Sequence, residues 1–442
     1  MKDILLINTP ILRNSRAPDS DISVPPVGIG YIYTQLILLG YECQFVDAVV
    51  NSLLSDEIIK CINQSDAKYV GLNIFSSNIG IVRFIVESVE SPRKIFLGGP
   101  AVHTLISEIK TWKSNNWITI VAGEAEHILP KLIENLIPLE GLSDNVNIVR
   151  VTPDSPFFPS NIDLPLNRSI FRNEPVQRPD LGLIESHLIT SRCCLYNCAF
   201  CTAATSVNPG MKPRYRSYDS LAKEIEIILE MHPETNCIRM LDDLFLRNQD
   251  SIDLAIRLFP GNNLYWRSMA HVNTFNDLPS SRLEDIKKSG CRELFVGIES
   301  GNDETLKHIR KPFSSNIAYE TVSRILEAQI PVKCYFILGF PGETEAQLKD
   351  TVTLASRLQD YANKRGVQFR VSPFRFRPYH GTMLYDELLK KGWNIAEIIN
   401  RIDMSDTSSY SAYDCVAGIY AEYDEEVLNK YMSEIEKFNV YT

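Results

Sequence analysis

Short apolar runs punctuate the first part of the chain at Ile4 to Ile7, Cys43 to Val46, Tyr69 to Ile74, Lys94 to Leu97 and Ile118 to Val121, with stretches of helical periodicity between them. This alternation predicts a parallel sheet wrapped by helices, a doubly wound domain over 1–148. After Pro25-Pro26, residues Ile29, Ile32, Tyr33, Leu36 and Ile37 share one helical face, and Gly40 stands where a helix stops. From 149 to 185 the periodicity dissolves among Pro153, Pro156, Pro159, Pro165, Pro175 and Pro179, which predicts an interdomain crossing. Its Phe157, Phe158 and Phe171 predict that it lies against folded structure.

A second alternating series follows at His187 to Ser191, Cys237 to Leu241, Leu264 to Met269, Glu293 to Val296, Val332 to Leu338 and Gln368 to Ser372. Six strand and helix units over 186–392 predict an open, partial version of the parallel (β/α) barrel, with functional groups at the carboxyl ends of its strands. The remainder, 393–442, reads as a short helical and acidic region. The fold class is α/β throughout.

Composition narrows the partners. The chain of 442 residues is 44% hydrophobic with a formal net charge of -10. Nucleic-acid binders usually show a basic face, so the balance favours a small-molecule or peptide substrate and no nucleic acid. The first residues run directly into a strand without a cleavage signature, and no apolar run reaches the roughly 18 to 20 residues that span a bilayer. No membrane association is expected, and the cytoplasm is the expected compartment.

Four of the ten cysteines fall between Cys193 and Cys201, a spacing unsuited to a disulfide framework and suited to metal. Cys43, Cys61, Cys237, Cys291, Cys334 and Cys415 read as small buried hydrophobes. Cys194, Cys198 and Cys201 form a C-x3-C-x2-C run. Three thiolates can hold three irons of a 4Fe-4S cube and leave the fourth open for a small molecule. A zinc site is the alternative, but no second Cys/His pair with zinc-like spacing follows.

The segment Thr190-Ser191-Arg192-Cys193-Cys194-Leu195-Tyr196-Asn197-Cys198-Ala199-Phe200-Cys201 strongly resembles the cluster loop of radical S-adenosylmethionine enzymes, including the aromatic Phe200 before the last cysteine. Four later segments resemble the same family in order: Asp242-Asp243, the run from Gly290 to Gly301, Gly339-Phe340-Pro341-Gly342-Glu343-Thr344, and Phe376-Arg377-Pro378-Tyr379-His380-Gly381-Thr382. The resemblance implies a 4Fe-4S cluster on Cys194, Cys198 and Cys201. It further implies S-adenosylmethionine on the open iron, electrons from an external flavodoxin- or ferredoxin-type donor, and a 5'-deoxyadenosyl radical. It places cofactor contacts at Phe200, Asp242, Asp243, Arg267, Glu299, Ser300 and Gly339.

Three of these residues also have plainer readings. Asp242 and Asp243 can compensate a helix N-terminus, and Arg267 can form an interstrand ion pair. Glu299 can accept from ribose hydroxyls, and Gly297 and Gly301 leave open backbone beside it.

The first domain resembles the cobalamin-binding domain that precedes the radical domain in one branch of the family. The residues that carry this are Val24-Pro25-Pro26-Val27-Gly28-Ile29-Gly30-Tyr31, Leu97-Gly98-Gly99-Pro100-Ala101-Val102-His103-Thr104 and Val121-Ala122-Gly123-Glu124-Ala125-Glu126, with Leu164-Pro165-Leu166-Asn167-Arg168 like that branch's linker. It implies cobalamin contacts at Pro26, Gly28, Asn73, Ser76, Gly98, Gly99, His103, Gly123 and Glu124. The glycines can equally serve tight turns, and His103 a turn hydrogen bond.

Two departures stand out. Asp47-Ala48-Val49-Val50-Asn51 occupies the place of the motif that supplies a lower axial histidine to cobalt, so that ligand is missing. His380 stands where the family commonly has proline, and with Tyr379 it is the candidate acid or base at the barrel rim; a solvated loop histidine is the alternative.

The expectation is cobalamin-dependent methylation of an unactivated carbon in a small-molecule or peptide natural-product intermediate. The alternatives are radical dehydration, epimerisation or rearrangement without cobalamin, and a noncatalytic iron-sulfur protein. Methylthiolation of transfer RNA is disfavoured, because neither extra cluster cysteines nor a basic extension is present.

Overall fold

The computed structural model describes residues 2–10, 24–100, 102–159, 161–261, 263–394 and 419–439. Cys415 and most of the stretch expected to be a helical C-terminal region lie outside them. The chain divides into two compact units. One takes the described residues up to Glu174, Thr205–Met211 and the described residues from Tyr379 to 394; the other takes Pro175–Ala204, Lys212–Pro378 and the described residues after Ala417.

In the first unit, seven strands run as β1 (Ile4–Asn8), β2 (Cys43–Asp47), β3 (Tyr69–Asn73), β4 (Lys94–Gly98), β5 (Trp117–Ala122), β6 (Glu140–Gly141) and β7 (Val146–Arg150). Their order is β2-β1-β3-β4-β5-β7-β6, parallel except where β6 runs antiparallel to β7. Successive side chains of a strand point to opposite faces, and β1 shows the consequence. Leu5 and Ile7 join one buried core with Val70, Leu72, Ile95 and Val82, while Ile4 and Leu6 join another with Tyr69, Phe96, Leu36 and Leu129. Helices therefore cover both faces, which explains why these strands read as unbroken apolar runs.

The chain leaves β1 for β2 on one side and then crosses to β3 on the other, so the strand order reverses at β1. Loops at the carboxyl edge part at such a switch point. Polar side chains lace that edge. Asn8 Nδ2 donates to Asp47 Oδ1 (2.8 Å), Asn73 Nδ2 to Asn8 Oδ1 (2.8 Å), and Asn78 Nδ2 to Thr9 Oγ1 (2.9 Å).

The expected boundary at 148 falls inside β7, and the chain beyond it packs on the same unit. Asn167 N donates to Thr34 Oγ1 (2.8 Å), Lys131 lies over the Phe157 ring, and the buried Arg168–Glu174 ion pair closes at 2.6 Å.

The second unit adds β8 (Val176–Arg178), β9 (Leu183–Leu188), a small antiparallel pair β10 (Ser191–Arg192) and β11 (Arg214–Tyr215), then β12 (Cys237–Met240), β13 (Tyr265–Ala270), β14 (Cys291–Glu299), β15 (Val332–Leu338) and β16 (Phe369–Arg375). The main sheet, β16-β15-β14-β13-β12-β9-β8, is parallel except at the β8 edge and curls into a half-barrel. The first barrel strand lies earlier than the sequence pattern put it, because Glu185, Ser186 and His187, all fully buried, break the apolar signal there.

On the helix-covered face Ile238, Trp266, Leu294, Val296, Cys334 and Phe336 are buried. The alternate positions Arg239, Arg267, Phe295, Gly297, Lys333 and Tyr335 therefore belong to the concave face. Helices Tyr218–Met231, Gln249–Leu258, Ser280–Lys288, Ser315–Glu327 and Glu345–Arg365 intervene between the strands. The last is capped by Thr344 and Gln347 at its start and stopped by left-handed Gly366.

Gly99 shows how tightly the first sheet's edge is built. Its φ is +147°, and a Cβ there would lie 2.3 Å from the Ile74 carbonyl oxygen. Gly99→Ala is expected to destabilise the chain by about 2 kcal/mol or more, because left-handed strain and a backbone clash add together. Urea denaturation of the two proteins checks this.

Candidate functional site

The cysteine loop leaves the carboxyl end of β9 and is held at its root by one carboxylate. Asp242, just beyond β12, accepts from Thr190 N (3.1 Å), Thr190 Oγ1 (2.8 Å) and the Ser191 hydroxyl. Burial raises its pKa and the serine and threonine donors oppose that rise. Asp242 is thereby committed to the loop, which corrects its expected place opposite a methionine ammonium. The next helix begins only at Gln249, so helix compensation is not its role either. Arg247 donates to the Ser191 hydroxyl and to the Cys193 carbonyl (3.3 Å), and its guanidinium lies over the Tyr215 ring. The backbone turns at Cys193 with φ +71°.

Within the loop Ala199 N donates to the Ile309 carbonyl (2.9 Å), and Ala203 N donates to Cys201 Sγ (3.4 Å). None of the nine described cysteines is in a disulfide. Among the described residues no three His, Cys, Asp or Glu side chains converge as closely as a single metal ion demands. A cube is bound differently, since each thiolate takes a separate iron and the sulfurs stand farther apart. Burial pushes the Cys194 and Cys198 thiols up and Cys201 up to about 12, so binding metal here must release protons. The Lys311 ammonium works against that rise at Cys194 and Cys198.

Lys311 is the residue that sequence reasoning missed most completely. Its Nζ is 2.9 Å from Glu299 Oε1 and donates to the Gly297 carbonyl at 2.9 Å, 5.9 Å from the Phe200 ring centroid. Burial lowers its pKa, but Glu299 and the nearby Cys198 outweigh that and hold it raised. Glu299 ends β14 with φ +71°, a conformation that turns its side chain out of the strand's alternation. Its Oε2 has no hydrogen-bond partner among the described residues, so one acceptor remains for a ligand. Asp243 is exposed, and it feels the like charge of Asp242 after the surrounding protein has raised its pKa. It also lies within the electrostatic reach of Cys194 and Cys201, which makes it the free carboxylate beside the thiols.

Other expected contacts fall elsewhere. Arg267 is clamped by Glu185 and Glu293, the interstrand alternative, which corrects its expected place on a methionine carboxylate. Ser300 is fully buried and shares a hydrogen bond with Thr351 (3.1 Å), so its hydroxyl is used in packing β14 against helix Glu345–Arg365. Phe200 packs on Phe340 at 5.7 Å, beside the Gly339 turn. His271 stacks on Tyr196 at 3.8 Å, and burial, followed by Lys311, lowers its pKa to about 3. It is therefore neutral, Nδ1 accepting from Asn273 N.

In the first unit Asn73 and Ser76 lie at or just past the carboxyl end of β3, and Gly98, Gly99, Gly123 and Glu124 at or past β4 and β5. Gly99 and Gly123 are demanded by backbone packing, since a Cβ would meet Ile74 O at 2.3 Å and Val151 O at 2.6 Å. Gly28, two residues past Pro26, has nothing within 4 Å of its missing side chain. His103 Nε2 bonds the Val207 carbonyl at 2.8 Å, which corrects its expected place as a cofactor contact through that nitrogen. His380 donates its backbone N–H to Ser76 Oγ (3.2 Å) and packs on Tyr385. Tyr379 and His380 thus belong to the first unit, not to the barrel rim. Burial lowers His380 to about 4, so at neutral pH it holds no extra proton to donate. Asp47 is likewise engaged, by Asn8 and by the Val49 and Val50 amides.

The Radical SAM superfamily model matches residues 188–355, and the B12 binding domain model matches residues 20–133. An uncharacterized methyltransferase of Pyrococcus horikoshii is 27% identical over 377 residues, covering 82% of this chain and 78% of the relative. The cytidylyl-2-hydroxyethylphosphonate methyltransferase of Streptomyces wedmorensis is 22% identical over 427 residues, covering 83% and 78%. The structure of the radical S-adenosylmethionine methyltransferase TsrM from Kitasatospora setae aligns with a TM-score of 0.62 at 16% identity, covering 88% of this chain and 76% of that one. That likeness is one of fold.

Glu343 supplies a pH test of the loop after β15. Its Oε2 accepts from Gly339 N (2.7 Å) and Tyr423 Oη (2.6 Å), and burial raises it to about 7 despite those donors. A carboxyl raised in the folded state favours folding below its unfolded pKa, and that contribution is lost as pH rises toward 7 and beyond. Relative to Glu343→Gln, the native chain is expected to lose roughly 3 kcal/mol of stability between pH 4.5 and 7.5, following the raised pKa. Denaturation midpoints of both proteins across that range measure the difference.

Proposed function

We propose that this chain, which belongs to the radical SAM superfamily and carries a B12-binding domain ahead of its radical SAM domain, methylates an unactivated carbon of a small-molecule or peptide intermediate in a cobalamin-dependent reaction. The observation that carries the proposal is the co-occurrence of three unpaired thiols beside Glu299, Asp243 and Lys311 in one unit with a complete doubly wound B12-type sheet in the other. When bound, the cluster and S-adenosylmethionine supply a 5'-deoxyadenosyl radical for hydrogen abstraction, and the corrinoid supplies the methyl group.

The chain's own residues do the binding and orienting. Cys194, Cys198 and Cys201 hold the cluster, and Asp242 with Arg247 fixes the loop that carries them. Lys311 holds Glu299 by Oε1 and keeps it aimed, leaving Oε2 for a ribose hydroxyl. Asp243 faces the methionine ammonium, and Phe200 and the Gly339 turn shape the adenosine side. In the first unit the open backbone at Gly28, with Asn73, Ser76, Gly98 and Glu124, forms the corrinoid edge. Neutral His380 presents an imidazole to that edge as an acceptor.

A second reading keeps the radical chemistry and drops the methyl transfer, giving dehydration, epimerisation or rearrangement. It draws on Asp47, whose carboxylate is spent on Asn8 and two amides, and on Val49 where an axial histidine would stand. Stoichiometric retention of hydroxocobalamin after reconstitution favours methylation; none favours this reading.

Under reducing, anoxic conditions each methyl transferred is expected to consume two S-adenosylmethionine molecules. One leaves S-adenosylhomocysteine, and the other leaves methionine and 5'-deoxyadenosine, in equal amounts. Cys198→Ala is expected to lose cluster iron and 5'-deoxyadenosine together. Deoxyadenosine formed with no S-adenosylhomocysteine on the true substrate refutes the methyl transfer, and absence of both refutes the radical assignment.

A further inference from the structure

The concave face of the half-barrel carries a charge imbalance that the reaction described above does not use. Near its floor, Glu293 receives Arg267 and Arg370 from β13 and β16 and is fully buried. Glu185 on β9 receives Arg267 and Arg178, and Asp180 receives Arg370 at 3.1 Å. These three carboxylates are matched by those three arginines. Two further cations stand on the same face, Arg239 of β12, in register with Arg267, and Lys333 of β15, in register with Phe295 and Arg370.

Neither Arg239 nor Lys333 makes a hydrogen bond or ion pair among the described residues, and both are half-buried. Their flanks are aromatic: Arg239 lies 5.2 Å from the Phe295 centroid and Lys333 5.6 Å from that of Tyr335. Burial, then Arg370, Arg239 and Arg267, lowers Lys333 to about 8 against the single opposing pull of Glu293. An ammonium kept beside like charges with no partner is a cost to the folded chain, and such costs are retained where a ligand relieves them.

Resting on the radical methyltransferase reading, we infer that Arg239 and Lys333 bind a dianionic phosphate or phosphonate group of the substrate at the floor of the half-barrel. Two cations with no hydrogen-bonded carboxylate, reached only at longer range by Glu185 and Glu293, match two negative charges, and a planar guanidinium beside a point-charge ammonium suits a tetrahedral oxyanion. Strand rise places the reactive end. From Phe295, beside this floor, to Glu299 at the carboxyl end of β14 is on the order of 13 Å. The substrate is therefore elongated, its anion anchored low and its reacting carbon near the thiols. Gly297, Tyr335, Ile337 and Phe374 supply the mostly apolar wall along the way.

Calorimetric titration of the full, cluster-reconstituted chain with inorganic phosphate, methylphosphonate and butylphosphonate tests this at constant ionic strength, with chloride and acetate as controls. Saturable binding of the phosphonates is expected, tighter for butyl than methyl because the wall is apolar. Arg239→Gln and Lys333→Met are each expected to weaken it about tenfold, and the surface variant Lys223→Gln to leave it unchanged. Without phosphate at low salt, Lys333→Met is expected to melt no lower than the native chain, whereas loss of a structural cation lowers the melting temperature. The inference is overturned by binding no stronger than chloride, by binding insensitive to both variants, by a lowered melting temperature in Lys333→Met, or by phosphate equalling butylphosphonate, which marks a free-anion site. None of these readouts uses S-adenosylmethionine, so they stand or fall apart from the deoxyadenosine assay.

Discussion

Glu293 is the constraint around which the barrel unit is arranged. It is a carboxylate with no exposure, and burial alone would push its pKa up; Arg267 and Arg370 instead pull it to about 2. An ionised group at that depth persists only when paired and hydrogen-bonded, and removing one partner typically costs about 3 to 5 kcal/mol. Because its partners arrive from β13 and β16, while Arg267 also reaches Glu185 on β9, the pairing ties strands on both sides of β14 into one register. A sheet closed on itself has no free edges to fix its curl, but this one is open. The charged floor supplies interior links that closure would otherwise provide.

That floor also separates the two kinds of charge in the unit. Low on the strands the arginines outnumber their carboxylates. At the carboxyl ends the balance is local: Lys311 with Glu299, and Asp242 with hydroxyl and amide donors, Arg247 standing one hydroxyl away through Ser191. Asp243 is left exposed beside the thiols, with Arg247 as the cation acting on it. The upper rim thus offers isolated acceptors, suited to an ammonium and to ribose hydroxyls, and the floor offers donors.

The doubly wound unit was legible in the sequence because both faces of its sheet are covered, so β1 to β5 each announced itself as a short apolar run whose limits moved by one or two residues, while β7, broken by Asn147 and Arg150, was not read and was cut by the expected boundary at 148. The barrel strands were legible where the run is almost wholly apolar, as in β15, and least so in β9, where Glu185, Ser186 and His187 are buried polar groups. The short antiparallel strands β6, β8, β10 and β11 carried no periodic signal, being two or three residues long. The 150–174 stretch reads as irregular because its backbone is, yet Asn167 and Phe171 bind it to the first unit through a hydrogen bond to Thr34 and a close approach to Gly30.

The site was legible to the extent that its chemistry is local. Three thiols at fixed spacing need no tertiary information. Pairing does: whether Asp242 or Asp243 faces a ligand depends on which one meets Thr190 and Ser191, residues about fifty positions away. Arg267 carried no mark that distinguished a clamp from a ligand until Glu185 and Glu293 were seen on either side. Lys311 was invisible for the same reason. It lies twelve residues beyond Glu299, after a short helix, and only the left-handed turn at Glu299 brings carboxylate and ammonium to 2.9 Å. A lysine in that position does two things that would conflict in water. It neutralises a buried acid, and it lowers the cost of gathering thiolates nearby, since an ammonium at low effective dielectric acts on every negative charge within reach. The cysteine loop and the carboxyl end of β14 therefore share one cation, and a change at either is felt at the other.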